Sequence, residues 1–231
     1  RNGVLDEELQ SYFASFDIAI SYLYDPDEIF QTNVTRCSRA QFIAGPYRPD
    51  ERRSIHATEV FLHALERVAI YGADPVPRLA IEAQRSTCHP IAVHPGSGSE
   101  RKNWPESQWT DFLRELVRTS ARDILLIGGE AEGDRLDRLA PVVPAARRHL
   151  ARHLPLVELA QRLTQCLAFV GHDSGITHLA AALNLPTCAL WGESVEAVWH
   201  PRGDRVTVLR HPRGLAAIEV DHVLQVLRQW I

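Results

Sequence analysis

The stretch FVGHDSGITHLAAALNLPTCALWGES, residues 169–194, predicts a strand, a helix and a second strand in succession. An apolar run over residues 167–170 leads into the polar turn GHDSG, and a second apolar run follows at residues 187–191. The helix between them is expected to turn one apolar face inward, formed by Ile176, Leu179, Ala180 and Leu183. Two strands joined by a helix form a right-handed βαβ unit, so this segment predicts a parallel sheet.

The same alternation extends towards the N-terminus as far as residue 91. Further strands are expected at residues 91–93 and 123–127, with a weak one hidden within 141–155. Helices are expected around residues 109–117, up to Arg138, and over 156–165. Strands that alternate with helices predict a doubly wound α/β fold with both faces of the sheet covered.

The first part of the chain is less regular. Short buried strands are expected at residues 17–23 and 41–44, followed by a helix over 56–71 and a proline-containing linker over 77–90. We therefore predict two domains. Residues 1–85 would form a partial N-terminal α/β domain, and residues 86–231 a Rossmann-like domain with a C-terminal helix.

The composition is that of an ordinary globular protein. Of 231 residues, 45% are hydrophobic and 23% charged, and the net charge of −4 gives no reason to expect a nucleic-acid partner. The sequence contains neither a membrane-spanning run nor a signal-peptide pattern, and its four cysteines are widely spaced. These features predict a cytoplasmic protein with reduced thiols. Because the chain starts at Arg1 and has no methionine, we expect either a piece of a longer protein or a sequence that lacks its methionines.

Glycine and polar residues follow four of the expected strands. They form the segments 94–99, 128–130, 171–175 and 191–194. Because ligands bind at the carboxyl ends of the strands in such sheets, four segments of this kind indicate one ligand cleft.

The first of these segments, HPGSGS, is followed by Lys102. Small residues expose backbone N–H groups, and an ammonium adds a point charge, so the pair suits a phosphate or diphosphate. The segment is neither a GxxxxGK[ST] nor a GxGxxG motif. Lysines usually lie exposed on surfaces, but all of the 25 basic residues except Lys102 are arginine, which favours a specific role here.

The other segments offer further candidates. Asp173 and Ser174 precede a helix whose N-terminus favours anions, although both residues could simply cap that helix. His178 lies off the apolar face and is expected to point towards the ligand, or to be structural. Glu130 and Glu132 could accept hydrogen bonds from a ribose, or could be a charged start of a helix.

Two other groups are less specific. His149 and His153 have an i,i+4 spacing that could hold a metal, but a solvated helix face is the better interpretation, so no metal site is expected. Trp104, Trp191 and Trp199 could flank a sugar or a base, but core packing is the default interpretation for each.

Three strings carry a family resemblance: HPGSGSERKNWP, LLIGGEAEGDR and FVGHDSGITHLAAALNLPTCALWGES. They resemble the signature stretches of glycosyltransferase family 9, the heptosyltransferases of lipopolysaccharide core synthesis. The resemblance runs from about residue 91 to the C-terminal helix and, more weakly, back to residue 17. It implies a GT-B fold, an inverting and metal-independent transferase, no cofactor, and ADP-heptose as the donor substrate.

The resemblance also implies roles for individual residues. Lys102 and Asp173 would be catalytic, and Lys102 with the loop of Ser97, Gly98 and Ser99 would contact the diphosphate. The phosphate and sugar would be lined by Asp173, Ser174, Gly175, Ile176 and His178. Gly129 would complete the donor site, and Glu132 would reach the ribose. Family members carry the general base, an aspartate, in a longer N-terminal domain. Nothing before Asp17 resembles that segment, so the base is expected to lie outside this chain.

The function expected from this resemblance is heptosyl transfer from an ADP-sugar to a lipopolysaccharide core or other glycan acceptor, with peripheral association at the inner membrane face. Two alternatives remain. One is another GT-B enzyme, such as a UDP-sugar 2-epimerase. The other is a non-catalytic protein that binds nucleotide sugars. A dehydrogenase is disfavoured because no dinucleotide motif is present.

Overall fold

The computed structural model describes residues 5–82, 88–129 and 134–231. The described residues divide into two compact units. The smaller unit contains the described residues up to Pro75 together with Ala197–Trp199, and the larger contains the rest. The predicted boundary between residues 85 and 86 falls outside the described residues and stays a prediction.

A six-stranded parallel sheet forms the centre of the larger unit. Its strands are β3 (Ile91–His94), β4 (Ile124–Gly128), β5 (Arg148–Arg152), β6 (Ala168–His172), β7 (Thr187–Trp191) and β8 (Val206–Arg210). Their order across the sheet is β5-β4-β3-β6-β7-β8, and every neighbouring pair is parallel. The chain adds strands in one direction from β3 to β5 and in the other from β6 to β8, so a topological switch point lies between β3 and β6.

Helices and apolar side chains cover both faces of this sheet. The helices of the larger unit are α4 (Glu106–Thr119), α5 (Arg135–Leu139), α6 (Leu156–Leu163), α7 (Gly175–Ala182) and α9 (Val220–Leu227). Alternate residues of one strand enter different clusters, because successive side chains point to opposite faces. Ile91 and Val93 pack in a cluster with residues of α4 and α9, and Ala92 packs in a second cluster with residues of α6 and α7. The predicted doubly wound fold is thus confirmed.

The smaller unit contains two parallel strands, β1 (Ile18–Ser21) and β2 (Gln41–Ala44). Its helices are α1 (Glu7–Ala14), α2 (Ile29–Cys37), α3 (Ala57–Leu62) and the short α8 (Glu196–Trp199), of which the last three residues belong to this unit. The sequence analysis identified neither α1 nor α2.

Two expectations for the smaller unit were wrong. Strand β1 is not buried, since Ile18 is 45% exposed and Ile20 37% exposed. Two short strands flanked by short helices have too little apolar surface around them to enclose both. The helix expected over residues 56–71 is α-helical only over Ala57–Leu62 and then tightens into a 3₁₀ helix that ends at Val68.

Two strands of the larger unit had a weak signal or none in the sequence. The weak strand expected within residues 141–155 exists as β5, and β8 was not predicted. Both form the edges of the sheet. All of their residues except Ala151 are exposed or half-buried, and neither strand has a continuous apolar run. No helix in the described part of the chain has both the length and the hydropathy that crossing a bilayer requires.

We expect the free energy of unfolding to depend on the core beneath α4. Leu113 is completely buried there, so Leu113→Ala should lower the free energy of unfolding by about 2–5 kcal/mol through lost apolar contact and the cavity left behind. Leu156→Ala is the matched control, because Leu156 is 63% exposed and should change stability by less than about 0.5 kcal/mol. Chemical denaturation of both variants measures the difference, and equal losses would contradict this assignment of the core.

Candidate functional site

A cavity of about 300 Å³ opens at the carboxyl ends of β3 to β6 in the larger unit. Each of these strands contributes its last residues or the loop that follows it, as expected at a switch point. Six of the residues predicted to bind the donor line this cavity: Ser97, Gly98, Gly129, Ser174, Gly175 and Ile176. The sequence therefore located the loops that surround the cavity.

One wall of the cavity is apolar and was not predicted. It is formed by Leu154, Leu156 and Leu159, which follow β5 or belong to α6, together with Ile127 and Ala151. The elements that carry Ile127, Leu156 and Leu159 were predicted, but which of their side chains face the cavity depends on the strand order, and residues 141–155 showed only a weak pattern. The cavity thus has an apolar side near β5 and a side of small, polar residues near β3 and α7.

The loop after β3 is held by its own side chains. Ser97 is 4% exposed, and its hydroxyl lies 2.9 Å from the carbonyl oxygen of Ser99 and 2.8 Å from Oδ1 of Asn103. Ser99 itself is exposed. Ser97 therefore fixes the shape of the loop, while Gly98 leaves open space where a side chain would be.

A buried arginine supports this loop from below. Arg135, the first residue of α5, is 8% exposed. Its Nη1 donates to the carbonyl oxygen of Pro95 at 3.1 Å, and its Nη2 lies 2.7 and 3.0 Å from the carboxylate oxygens of Glu100. Because of the hydrogen bond from Arg135, the pKa of Glu100 is lowered. Arg135 thus holds both ends of the loop. The sequence did not indicate these contacts, because they depend on the tertiary structure.

A histidine ties the same loop to β6. The Nε2 atom of His172, which is fully buried, accepts a hydrogen bond from the backbone N–H of Trp104 at 2.7 Å. A ring that accepts at Nε2 carries its proton on Nδ1 when it is neutral, and Nδ1 lies 3.4 Å from the carbonyl oxygen of Gly96. His172 therefore connects two points of the loop to the strand beside it.

Lys102 and Asp173 meet directly. Nζ of Lys102 lies 2.5 Å from Oδ2 of Asp173, and the hydroxyl of Ser194 donates to the same oxygen at 2.5 Å. The Lys102 side chain is 40% exposed and that of Asp173 only 12%. The sequence identified Lys102 and Asp173 separately but not their ion pair, and it left Ser194 without a role. This cluster joins the loops that follow β3, β6 and β7.

Helix α7 begins at the cavity. Ser174 is its N-cap residue, and its hydroxyl accepts from the backbone N–H of Thr177 at 3.4 Å. A helix leaves its first N–H groups without partners in the helix, so those of Gly175 and Ile176 are available to an anion. Ser174 therefore caps the helix and also lines the cavity, so its capping role does not exclude the predicted role in ligand binding.

The inner face predicted for α7 is confirmed in part. Ala180 is completely buried, and Ile176, Leu179 and Leu183 are partly buried against the same apolar cluster, which contains residues of β3, β4 and β6. Thr177, Ala181 and Ala182 are also buried and were not predicted. The helix lies close to the strands because its inner residues are small, and Thr177 donates a hydrogen bond to the carbonyl oxygen of His172.

Other predicted residues lie elsewhere. Ser99, Lys102, Asp173 and His178 are not among the described residues that line the cavity, although Lys102 and Asp173 form the neighbouring cluster. His178 is half-buried. Glu130 and Glu132 fall outside the described residues, so their predicted roles remain untested.

The structure also gives the positions of the predicted histidine pair, His149 and His153, and of Trp104 and Trp191. His149 and His153 do not share a helix face, because His149 lies in β5 and His153 follows it with a φ of 48°. Their spacing of four residues resembles a helical repeat, but the strand pairing with β4 prevails. Trp104 and Trp191 are completely buried, so core packing is confirmed for both.

The strand order and the position of the cavity define the class of protein: a doubly wound α/β unit with a ligand cavity at the switch point. The sequence model of glycosyltransferase family 9 (heptosyltransferase) matches residues 71–223. The chain belongs to this family, as its three signature strings indicate.

Curated relatives agree with this membership. Over 148 residues the chain is 30% identical to lipopolysaccharide heptosyltransferase 1 of Pseudomonas aeruginosa. This alignment covers 64% of this chain and 40% of that protein. Over 113 residues it is 31% identical to lipopolysaccharide heptosyltransferase 2 of Escherichia coli K12. This alignment covers 47% of this chain and 32% of that protein. The alignments thus span well under half of the length of either relative.

Solved structures share the fold. The structure of E. coli ADP-heptose lps heptosyltransferase II is similar with a TM-score of 0.72 and 18% identity, covering 96% of this chain and 79% of that one. E. coli heptosyltransferase WaaC with ADP has a TM-score of 0.70 and 19% identity, covering 97% of this chain and 77% of that one. These similarities confirm the predicted GT-B type of α/β fold.

Two glycines, Gly171 in β6 and Gly175 at the start of α7, should respond differently to substitution. A Cβ atom on Gly171 would lie 2.7 Å from the buried ring of Phe169, whereas a Cβ atom on Gly175 would meet nothing within 4 Å. Gly171→Ala should therefore destabilise the protein by about 1–3 kcal/mol through overpacking. Gly175→Ala should leave its stability unchanged or raise it by less than about 1 kcal/mol, because alanine favours a helix.

Thermal and chemical unfolding of the two variants measure this difference. A destabilisation by Gly175→Ala as large as that by Gly171→Ala would mean that Gly175 does not face open space.

Proposed function

We propose that the larger unit binds the nucleotide diphosphate of an ADP-sugar and forms the donor side of an inverting glycosyltransferase. The sugar would be a heptose or a related sugar, and the acceptor a lipopolysaccharide core. The observation that carries this proposal is the arrangement of the cavity, which has an apolar wall on one side and a helix N-terminus on the other, beside the partly exposed Lys102. Membership of glycosyltransferase family 9 supports the choice of reaction.

The two sides of the cavity suit the two ends of a nucleotide. A purine base is flat and largely apolar, so Leu154, Leu156 and Leu159 provide a suitable surface for it. The ribose would then lie near Gly129, and the diphosphate would reach the N–H groups of Gly175 and Ile176. A volume of about 300 Å³ is at the lower end of the range for ligand pockets, which fits a base and ribose with the phosphates at the opening.

Lys102 would act on the charge of the diphosphate. An ammonium has three N–H donors, so Lys102 can keep its hydrogen bond to Asp173 and still donate to a phosphate oxygen. Asp173 and Ser194 would fix the direction of Lys102. The cluster is pre-organised, because Asp173 contacts both Lys102 and Ser194.

The proposed reaction is a single displacement at the anomeric carbon. A base removes the proton from the acceptor hydroxyl, the new glycosidic bond forms, and ADP leaves with the electron pair of the broken bond. Negative charge grows on the leaving diphosphate. Lys102 and the N-terminus of α7 would stabilise that charge as it develops, which lowers the barrier. None of these residues is assigned as the base.

Nucleotide binding provides the direct test. We expect ADP to bind saturably and more tightly than UDP in calorimetric titrations, and Lys102→Ala to weaken ADP binding at least tenfold. The matched control is Arg101→Ala, because Arg101 is the adjacent basic residue, is exposed, and has no role in the proposal. Equal weakening of ADP binding by both variants would show that Lys102 acts only through its contribution to the surface charge.

Turnover gives a second, independent test. In the full-length enzyme, Lys102→Ala should lower kcat/KM for an ADP-sugar donor at least tenfold, which corresponds to about 1.4 kcal/mol of transition-state stabilisation. An unchanged kcat/KM would remove Lys102 from the mechanism. A preference for UDP would favour another GT-B enzyme, and tight ADP binding without any transfer by the full-length protein would favour a non-catalytic binding protein.

A further inference from the structure

Three potential metal ligands meet at the opposite edge of the sheet from the cavity. Cys88 lies three residues before β3, Asp123 immediately precedes β4, and His149 is the second residue of β5. Sγ of Cys88 lies 2.9 Å from Oδ2 of Asp123, and Nε2 of His149 lies 3.0 Å from the same oxygen. All three ligand atoms lie within 4.8 Å of one another.

The backbone holds these side chains in place. Asp123 and His149 lie on adjacent strands, since Ile124 pairs with Arg148 and Leu125 with His149. The carbonyl oxygen of Asp123 also accepts a hydrogen bond from the N–H of Ile91 at 2.9 Å, which fixes it to the start of β3. The chain near Cys88 is anchored by the hydrogen bond from Leu167 to the carbonyl oxygen of Pro90. The three ligands are therefore presented by the rigid edge of one sheet.

Their chemistry matches a borderline divalent cation. Sulfur, imidazole nitrogen and carboxylate oxygen are the three ligand types that zinc accepts in proteins, whereas magnesium and calcium prefer oxygen alone. Tetrahedral zinc with bonds of about 2.0–2.3 Å separates its ligands by about 3.3–3.8 Å. Two of the observed separations, 2.9 and 3.0 Å, are those of hydrogen bonds, and all three ligand atoms lie within 4.8 Å of one another, so side-chain shifts of about 1 Å or less bring them to tetrahedral spacing.

We propose that Cys88, Asp123 and His149 form a zinc site with water as the fourth ligand. The thiol of Cys88 would lose its proton to solvent and bind as thiolate, and His149 would bind through Nε2 as neutral imidazole. The side chain of His149 is 48% exposed and that of Asp123 27%, so solvent reaches the fourth position. The site lies at the amino ends of the strands and the donor cavity at their carboxyl ends, so the zinc proposal does not rest on the proposed transferase mechanism.

Cobalt substitution tests the site directly. Co²⁺ added to the reduced, metal-free chain should give thiolate charge-transfer absorption in the near ultraviolet, which zinc then abolishes by displacement. Cys88→Ser should remove this absorption. Cys37→Ser is the matched control, because Cys37 is also a half-buried cysteine but lies in the smaller unit, and it should leave the absorption unchanged.

Calorimetry with zinc completes the test. The wild-type chain should bind one zinc ion at micromolar concentration or below, and His149→Gln should weaken binding at least tenfold, while His222→Gln, at an exposed position of α9, should have no effect. Asp123→Asn serves as a second variant if Cys88→Ser does not fold. Zinc binding only at millimolar concentration, or absorption that survives Cys88→Ser, would overturn the proposal. A stability loss in Cys88→Ser without any metal binding would leave the cluster as a hydrogen-bonded tie, and would also overturn it.

Discussion

The pairing of β3 with β6 is the constraint on which the rest of the larger unit depends. Ile91 pairs with Ala168 and His94 with Gly171, so the two strands end side by side. The chain then leaves β3 towards one edge of the sheet and β6 towards the other. Because the loops after these strands diverge, the backbone leaves a gap at their carboxyl ends that neither loop fills. The cavity exists because of this change of direction.

Polar contacts across the gap then hold the loops in one arrangement. His172, the last residue of β6, binds the backbone at Trp104, and Asp173, the next residue, binds Lys102, so two successive residues at the end of β6 hold the loop that follows β3. The same carboxylate binds Ser194 after β7, and Arg135 supports the loop from α5. These are mostly half-buried or buried contacts, in which hydrogen bonds are less exposed to competition from water. The loops are therefore ordered by their contacts with one another as well as by the sheet.

The sequence predicted the parts of this structure that depend on local patterns. The strand at residues 187–191, the helix that begins at Gly175 and the loops rich in glycine all have short-range signals, and these suffice for the class of fold. The ion pair of Lys102 with Asp173 joins residues 71 positions apart in the chain, and Arg135 reaches Glu100 over 35 positions. Such contacts follow from the strand order, which a single sequence does not reveal.

Local patterns also misled where tertiary contacts outweigh them. His149 and His153 are spaced like residues on one helix face, yet the edge pairing with β4 makes a strand of their segment. In α7 the apolar spacing identified Ala180 and the partly buried Ile176, Leu179 and Leu183, but it missed Thr177, whose hydroxyl donates a hydrogen bond to the carbonyl oxygen of His172. Strand pairing decided the first outcome and a side-chain hydrogen bond the second, and hydrophobicity alone encodes neither.

The two edges of the parallel sheet have opposite electrostatic character. At the carboxyl edge, strands lead into the N-termini of helices such as α6 and α7, whose unpaired N–H groups favour anions. At the amino edge, strands are preceded by helix C-termini, such as that of α4 before β4, whose unpaired carbonyl groups favour cations. The proposed diphosphate site at the first edge and the proposed zinc site at the second therefore follow the same rule. The direction of the strands favours anions at one end of the sheet and cations at the other, and the side chains of Lys102 and Cys88 would add to that preference.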